Sequence, residues 1–258
     1  MPTYLAELVV GFALPFRAGL HAWMEKRPYD FRTYHRVVRD LRLSGDRAYP
    51  SLFPRALLSQ KSFTASFLPL GDISASTTIY CNESGDYLIY RSDEYGFHNP
   101  AGIWESALDI AAVGDSFTQG ACVASESNFV SRIRQRYPYT LNLGMGGNGP
   151  LLALAGMQEY LADLKPKLVL WFFFEGNDLE DLPDEFKDAR LRRYLEDRSF
   201  RQNLTARQPD IDESLRQLAD TTLSLDSDAA PLLDSVTHRH TSPCRPAQPS
   251  ARLVEPAV

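Results

Sequence analysis

The stretch Leu108-Asp109-Ile110-Ala111-Ala112-Val113-Gly114-Asp115-Ser116-Phe117-Thr118-Gln119-Gly120 decides how the chain is read. Its first seven residues are apolar except Asp109, and the run breaks at a Gly-Asp-Ser turn of the kind that joins a strand to a helix. A strand apolar on both faces belongs to a parallel sheet that is covered on both sides. The same form recurs at Tyr139–Gly144 (YTLNLG) and Lys167–Glu175 (KLVLWFFFE), with helical segments predicted near Asn128–Arg136 and from Pro150 to about Lys165. Strand alternating with helix predicts an α/β fold with a parallel sheet. Within it, the aromatic run Trp171-Phe172-Phe173-Phe174 reads as a packed core strand.

Outward from this core the pattern changes. Thr77–Arg91 (TTIYCNESGDYLIYR) places β-branched and aromatic residues on both sides of a Gly-containing loop, which predicts a hairpin. Residues 20 to 60 are rich in Arg and aromatic residues, with helical spacing at Tyr34, Val37, Val38 and Leu41. Residues 184 to 200 predict one charged helix. From Arg201 to Val258 there is no Gly, Phe, Tyr, Trp or Met, and Pro231, Pro243, Pro246, Pro249 and Pro256 fall within the last stretch. Such a composition buries too little apolar surface to offset the entropy of ordering. The expected organisation is a helical lead-in over 1–75, a β-hairpin lead-in over 76–105, the α/β core over 106–200 and a low-order tail over 201–258, disordered mostly beyond about 225.

The chain has 258 residues, 44% of them hydrophobic and 23% charged, so it is long enough to bury a core without disulfide staples. Twenty-seven Lys and Arg against 33 Asp and Glu leave a net charge of -6, which argues against a nucleic-acid partner. Cys81, Cys122 and Cys244 are odd in number and widely spaced, which reads as free thiols and gives no metal-ligand pattern. The apolar stretch Tyr4–Phe16 is too short to span a bilayer and contains Glu7 and Pro15. It reads as an amphipathic helix, or as the remnant of a longer anchor that would bring the N-terminus to a membrane and the protein to the cell envelope. Without a signal sequence the expected location is otherwise the cytoplasm.

In a parallel α/β sheet, ligands bind beyond the carboxyl ends of the strands. Each strand end here carries polar groups. Gly114-Asp115-Ser116 presents a hydroxyl, making Ser116 a candidate nucleophile. Asn142-Leu143-Gly144-Met145-Gly146-Gly147-Asn148-Gly149-Pro150 exposes backbone N–H groups at a helix start opened by Pro150. Glu175-Gly176-Asn177-Asp178 offers an amide donor.

These three turns, in this order, resemble the signature blocks of the SGNH or GDSL family of serine ester hydrolases. The resemblance implies a three-layer α/β/α core with Ser116 as nucleophile. It also implies an oxyanion hole made by the N–H of Ser116, the N–H of Gly147 (with Gly144 as fallback) and the side chain of Asn177. The implied substrate is an O-acyl ester, and Arg91–Pro100 (RSDEYGFHNP) resembles bacterial members associated with polysaccharide or envelope glycan. No metal or organic cofactor is implied. Hydrolysis and O-acyl transfer share this half-site.

The chain departs from the family at its last block, Asp-x-x-His. Asp234 to His238 is one residue too long, and Thr237 stands three before His240. His240-Thr241-Ser242-Pro243 resembles the family's histidine and its C-terminal neighbours, so His238 and His240 are the candidate bases, in a C-terminal part that reads as shortened. A catalytically impaired scaffold or binding module is therefore the second reading. A third is dinucleotide binding, since Gly144, Gly146 and Gly149 match G-x-G-x-x-G. His21, His35 and His98 read as surface or capping residues. Asp178, Glu180 and Asp181 read as charges facing a helix N-terminus and not as a metal site.

Overall fold

The first described helix is set by local capping. In the computed structural model, which describes Met24 and residues 28–225 apart from 61, 62 and 84, Thr33 caps α1 (Tyr34–Leu43) by accepting from the Arg36 N–H. Val37 and Val38 on its inner face are fully buried. A short β1 (Ala48–Pro50) follows, then α2 (Pro54–Ser59), opened by a proline whose missing N–H costs nothing at a helix start.

The hairpin forms as expected: β2 (Thr77–Ile79) pairs antiparallel with β3 (Ile89–Arg91), Thr78 opposite Tyr90. Its other edge takes β1 in parallel, giving a three-stranded sheet that the helical reading of the lead-in omitted. Three residues are too few for a period of two to stand out in sequence.

The core sheet has the order β5-β4-β6, all parallel, with β4 (Ile110–Gly114) central, β5 (Thr140–Asn142) and β6 (Leu168–Phe172) at its sides. Every residue of β4 and β5 is buried. Helix α3 (Ser116–Gln119) leaves the end of β4, and α4 (Phe129–Arg136) packs beside β5, capped by Asn128. Helix α5 (Pro150–Tyr160) lies against β4 and ends a turn earlier than its sequence suggested. The protein is thus mixed α/β with a small parallel sheet.

Four expectations need correction. First, β6 is not a covered core strand: Trp171 is 46% exposed, Leu168, Val169, Phe173 and Phe174 are at least 40% exposed, and no described strand lies beyond it. Second, residues 184–200 do not make one helix. They divide between the end of α6 (Asp178–Glu185) and α7 (Ala189–Glu196), where Asp188 caps a fresh start.

Third, residues 201–225 are ordered. A 3-10 turn (Thr205–Arg207) runs into α8 (Gln208–Leu225), whose Ile211, Leu215 and Ala219 are completely buried. That spacing of four is a helical stripe, and three small aliphatic side chains make it without any aromatic residue. Asp212 fastens the helix to the lead-in by accepting from the Ser74 N–H and hydroxyl at 2.8 and 2.6 Å. The tail beyond 225 lies outside the described residues, as does Tyr4–Phe16. Among the described residues no helix is long and apolar enough to cross a membrane.

Fourth, Cys81 and Cys122 are joined in a disulfide, their Cα atoms 5.2 Å apart across a sequence separation of 41. Sequence spacing hides the pairing because the hairpin and the turn after α3 meet only in the fold. Closing a loop of that length restricts the unfolded chain by about 4 kcal/mol. Replacing both cysteines by serine should lower unfolding free energy by about 2–4 kcal/mol. Urea denaturation of oxidised wild type and the double variant measures this, and equal midpoints would refute it.

Candidate active site

The first two turns are bonded to each other through one side chain. Asn142, at the end of β5 and 1% exposed, donates its amide to the Thr118 carbonyl at 2.7 Å and accepts from the Gly144 N–H at 2.8 Å. Its backbone N–H and C=O are both held by the side chain of Asn99, from the RSDEYGFHNP loop, at 2.8 and 2.9 Å. Asn99 is itself fixed by Asp93, whose carboxylate also takes the Tyr95 and Phe97 N–H groups and the Trp104 indole N–H. The loop that resembled a family lead-in is therefore a clamp on the strand end that carries the glycine block.

Within that block the glycines differ in what their N–H groups do. That of Gly144 is bonded to Asn142, and a Cβ there would come within 2.4 Å of the Gln119 nitrogen. The N–H of Gly146 goes to the Gln119 side chain, and that of Gly149 to Glu185. Gly147, at φ +70°, has no hydrogen-bond acceptor for its N–H among the described residues, and its conformation is one that L side chains rarely adopt. This favours Gly147 over the fallback Gly144 as a donor to a bound group.

Ser116 is the first residue of α3 and half-buried, where the helix itself provides no acceptor for its N–H. Asp115 before it accepts from the Phe117 N–H, and burial pushes its carboxyl up to about 6, with Asp178 and Asp181 adding in the same direction. Asn177 stands at the N-terminus of α6. Its Nδ2 lies 3.4 Å from Asp181 Oδ2, which takes one amide proton and leaves the second. Asp178, Glu180 and Asp181 all lie in the first turn of α6, facing its positive end.

The third turn reaches the first two by two routes. The Phe174 ring rests on the Phe117 ring at 5.1 Å. Arg55, from α2, pairs with Asp181 at 3.4 Å and Asp184 at 2.6 Å while its Cβ and Cγ pack against Gly147. The lead-in thus contributes a buried cation to the crevice, a residue that sequence reasoning missed because nothing local to Pro54-Arg55 signals it. Among the described residues, five of the ten buried side-chain polar atoms without a protein partner belong to these turns, Asp115 Oδ2, Thr118 Oγ1, Asn148 Oδ1, Asn177 Oδ1 and Asp178 Oδ1, and a sixth is the Nε of Arg55 beside them. Such unused polar capacity is what a binding crevice carries. A concavity of about 530 Å³ lies elsewhere, between α4 and β6 at the opposite ends of the strands, and its polar lining is limited to Asp109, Tyr137 and Lys167.

Two sequence readings change here. Glu185 is fully buried and accepts from the Gly149 and Leu151 N–H groups at 2.8 and 2.7 Å, so a carboxylate already occupies the helix N-terminus where a dinucleotide pyrophosphate would lie. Burial pushes that carboxyl up to about 7. His98 is not a surface residue: it is buried, stacked on Tyr90 at 3.9 Å, with Nδ1 2.9 Å from the Gln119 carbonyl and Nε2 2.9 Å from Ser125 Oγ. Both ring nitrogens are engaged away from Ser116. His35 lies on α1 beside Tyr34. His21, His238 and His240 lie outside the described residues. Among the described residues no group of His, Cys, Asp and Glu is arranged to hold a metal.

No protein-family model, curated protein or solved structure matches the chain.

These contacts lead to two expected outcomes. Asn142→Ala strands a buried carbonyl and a buried N–H, and should cost about 2–4 kcal/mol of stability in urea denaturation. A loss below about 1 kcal/mol would show that Asn142 does not hold the turns. For His98, burial pushes the imidazole down to about 4 from an unfolded value of 6.5. Below 6.5 the unfolded chain takes up a proton that the native site refuses, so stability is lost as pH falls from about 6.5 to about 4. His98→Gln should remove a pH-dependent difference on the order of 2–3 kcal/mol across that window. Parallel profiles for the two proteins would refute it.

Proposed function

We propose that the protein is a serine ester hydrolase of the SGNH type acting on O-acyl esters, with Ser116 as nucleophile and the N–H groups of Ser116 and Gly147 and the amide of Asn177 as the oxyanion hole. The observation that carries this reading is the N–H of Gly147, left out of the internal network at a turn bonded to the nucleophile turn. In the reaction Ser116 Oγ attacks the ester carbonyl, its proton passes to a base, and the carbonyl oxygen, now an oxyanion, faces the three donors. Expulsion of the alcohol leaves an acyl-enzyme, which water hydrolyses. Transfer of the acyl group to a second alcohol would use the same intermediate.

The base in this reading is His240 or His238, since His98 has both nitrogens engaged elsewhere. The Cys81–Cys122 disulfide favours an oxidising compartment, which accords with an acylated carbohydrate or envelope glycan as substrate. The engagement of His98 also favours a second reading, a crevice that binds acyl groups with little turnover.

Fluorophosphonate labelling of purified protein separates the two. Hydrolase function predicts modification at Ser116 by mass spectrometry and none in Ser116→Ala. It also predicts labelling roughly two to three decades slower in Asn177→Ala, the effect of losing one oxyanion donor. Absence of label on folded wild type would overturn hydrolase function and leave binding.

A further inference from the structure

Strand β6 is an end strand with an open edge. It pairs with β4 on one side, and no described strand lies on the other. The Leu168 N–H donates to the Asp109 carbonyl at 3.1 Å. Alternation along a parallel ladder then turns the N–H and C=O of Leu168, Leu170 and Phe172 toward β4, and those of Val169 and Trp171 toward the open edge. Natural sheets blunt such an edge with an inward charge, a proline or a bulge. Residues 168–174 (LVLWFFF) contain neither a charge nor a proline, and five of the seven are at least 40% exposed.

The sequence around this edge is symmetric in charge. Lys167 stands four residues before Trp171 and Glu175 four after it, both exposed. We propose that β6 pairs antiparallel with β6 of a second copy across a two-fold axis at Trp171, joining two three-stranded sheets into one of six strands. In that register Trp171 faces its counterpart, Val169 faces Phe173, Leu170 faces Phe172, Leu168 faces Phe174, and Lys167 faces Glu175. The outward N–H and C=O of Trp171 meet those of its counterpart in a hydrogen-bonded pair, as an antiparallel ladder requires of alternate positions. Every other pair occurs twice, once in each direction, as an isologous two-fold interface demands.

The area is of the right size. The exposed side chains of Leu168, Val169, Trp171, Phe173 and Phe174 offer about 500 Å² of apolar surface per copy before backbone, Lys167 and Glu175 are added, against roughly 800 Å² per partner in a standard interface. Lys167 already pairs with Asp109 at 2.7 Å and remains 76% exposed, so a second carboxylate can join it.

Sedimentation analysis of the full chain with its native disulfide intact should give the mass of two copies. Glu175→Lys, which sets Lys against Lys at both ends of the seam, should weaken the dimer about tenfold, and adding Lys167→Glu should restore it to within about twofold. Both changes fall on exposed side chains, so folding is kept. Trp171→Cys should form an oxidised dimer linked 171 to 171, mapped by mass spectrometry to distinguish it from a link to Cys244, whereas Leu170→Cys should not link to itself. A monomer at every concentration would overturn the proposal and point to residues 226–258 or a foreign strand as the occupant. A dimer indifferent to Glu175→Lys and without the 171–171 link would overturn it equally.

Discussion

The carboxamide of Asn142 is the constraint on which the arrangement of the crevice depends. Four polar groups of this one residue are satisfied in a place with almost no solvent: two by Asn99, one by the Thr118 carbonyl and one by the Gly144 N–H. Each bond alone is worth about 1 kcal/mol, but leaving any partner buried and unpaired costs more than making the bond gains. The lead-in, the Ser116 turn and the glycine block are therefore held in one register. Gly144 must lack a side chain because the Asn142 bond draws it against Thr118 and Gln119.

Around that fixed point, charge is distributed unevenly. Burial raises the carboxyls of Asp115 and Asp178, with Asp178 and Asp181 adding to the first and Asp181 to the second, and the cation that pairs with Asp181 comes from far away in sequence, at Arg55. The consequence for chemistry is that Asn177 sits between an acceptor, Asp181, which orients its amide, and a crevice whose negative charge Arg55 partly neutralises. Unpaired buried polar atoms cluster here, while the concavity between α4 and β6 has few polar groups.

The lead-in and the core are joined by more than packing. Asp93 gathers four donors into the loop before the core, Asp212 holds α8 to Ser74, and the Cys81–Cys122 disulfide bonds the hairpin to the end of the Ser116 turn. The sheet that results is secure on one side of β4 and open on the other. An open hydrophobic edge is the feature most in need of a partner in this molecule, because backbone groups and aromatic faces are exposed together.

The features that the sequence determined by itself were those with a local cause. Strand β4, the hairpin, the helix opened by Pro150 and the acidic first turn of α6 arise from apolar runs, turn residues and helix-terminus chemistry that act over a few residues. The strand-end turns that carry Ser116, Gly147 and Asn177 were legible for the same reason: the composition of each is unusual on its own. Tertiary structure alone decided what acts across distance. Arg55 reaches the crevice from α2, Glu185 closes the N-terminus of α5, His98 is buried against Tyr90, and Cys81 meets Cys122. None of these has a spacing that a linear pattern can register. Helix α8 escaped notice because its stripe is built from Ile211, Leu215 and Ala219, whose burial depends on the lead-in surface that receives them. The exposure of β6 reverses the expectation from its composition for the same physical reason: an apolar strand is a core strand only where the fold supplies neighbours to cover it.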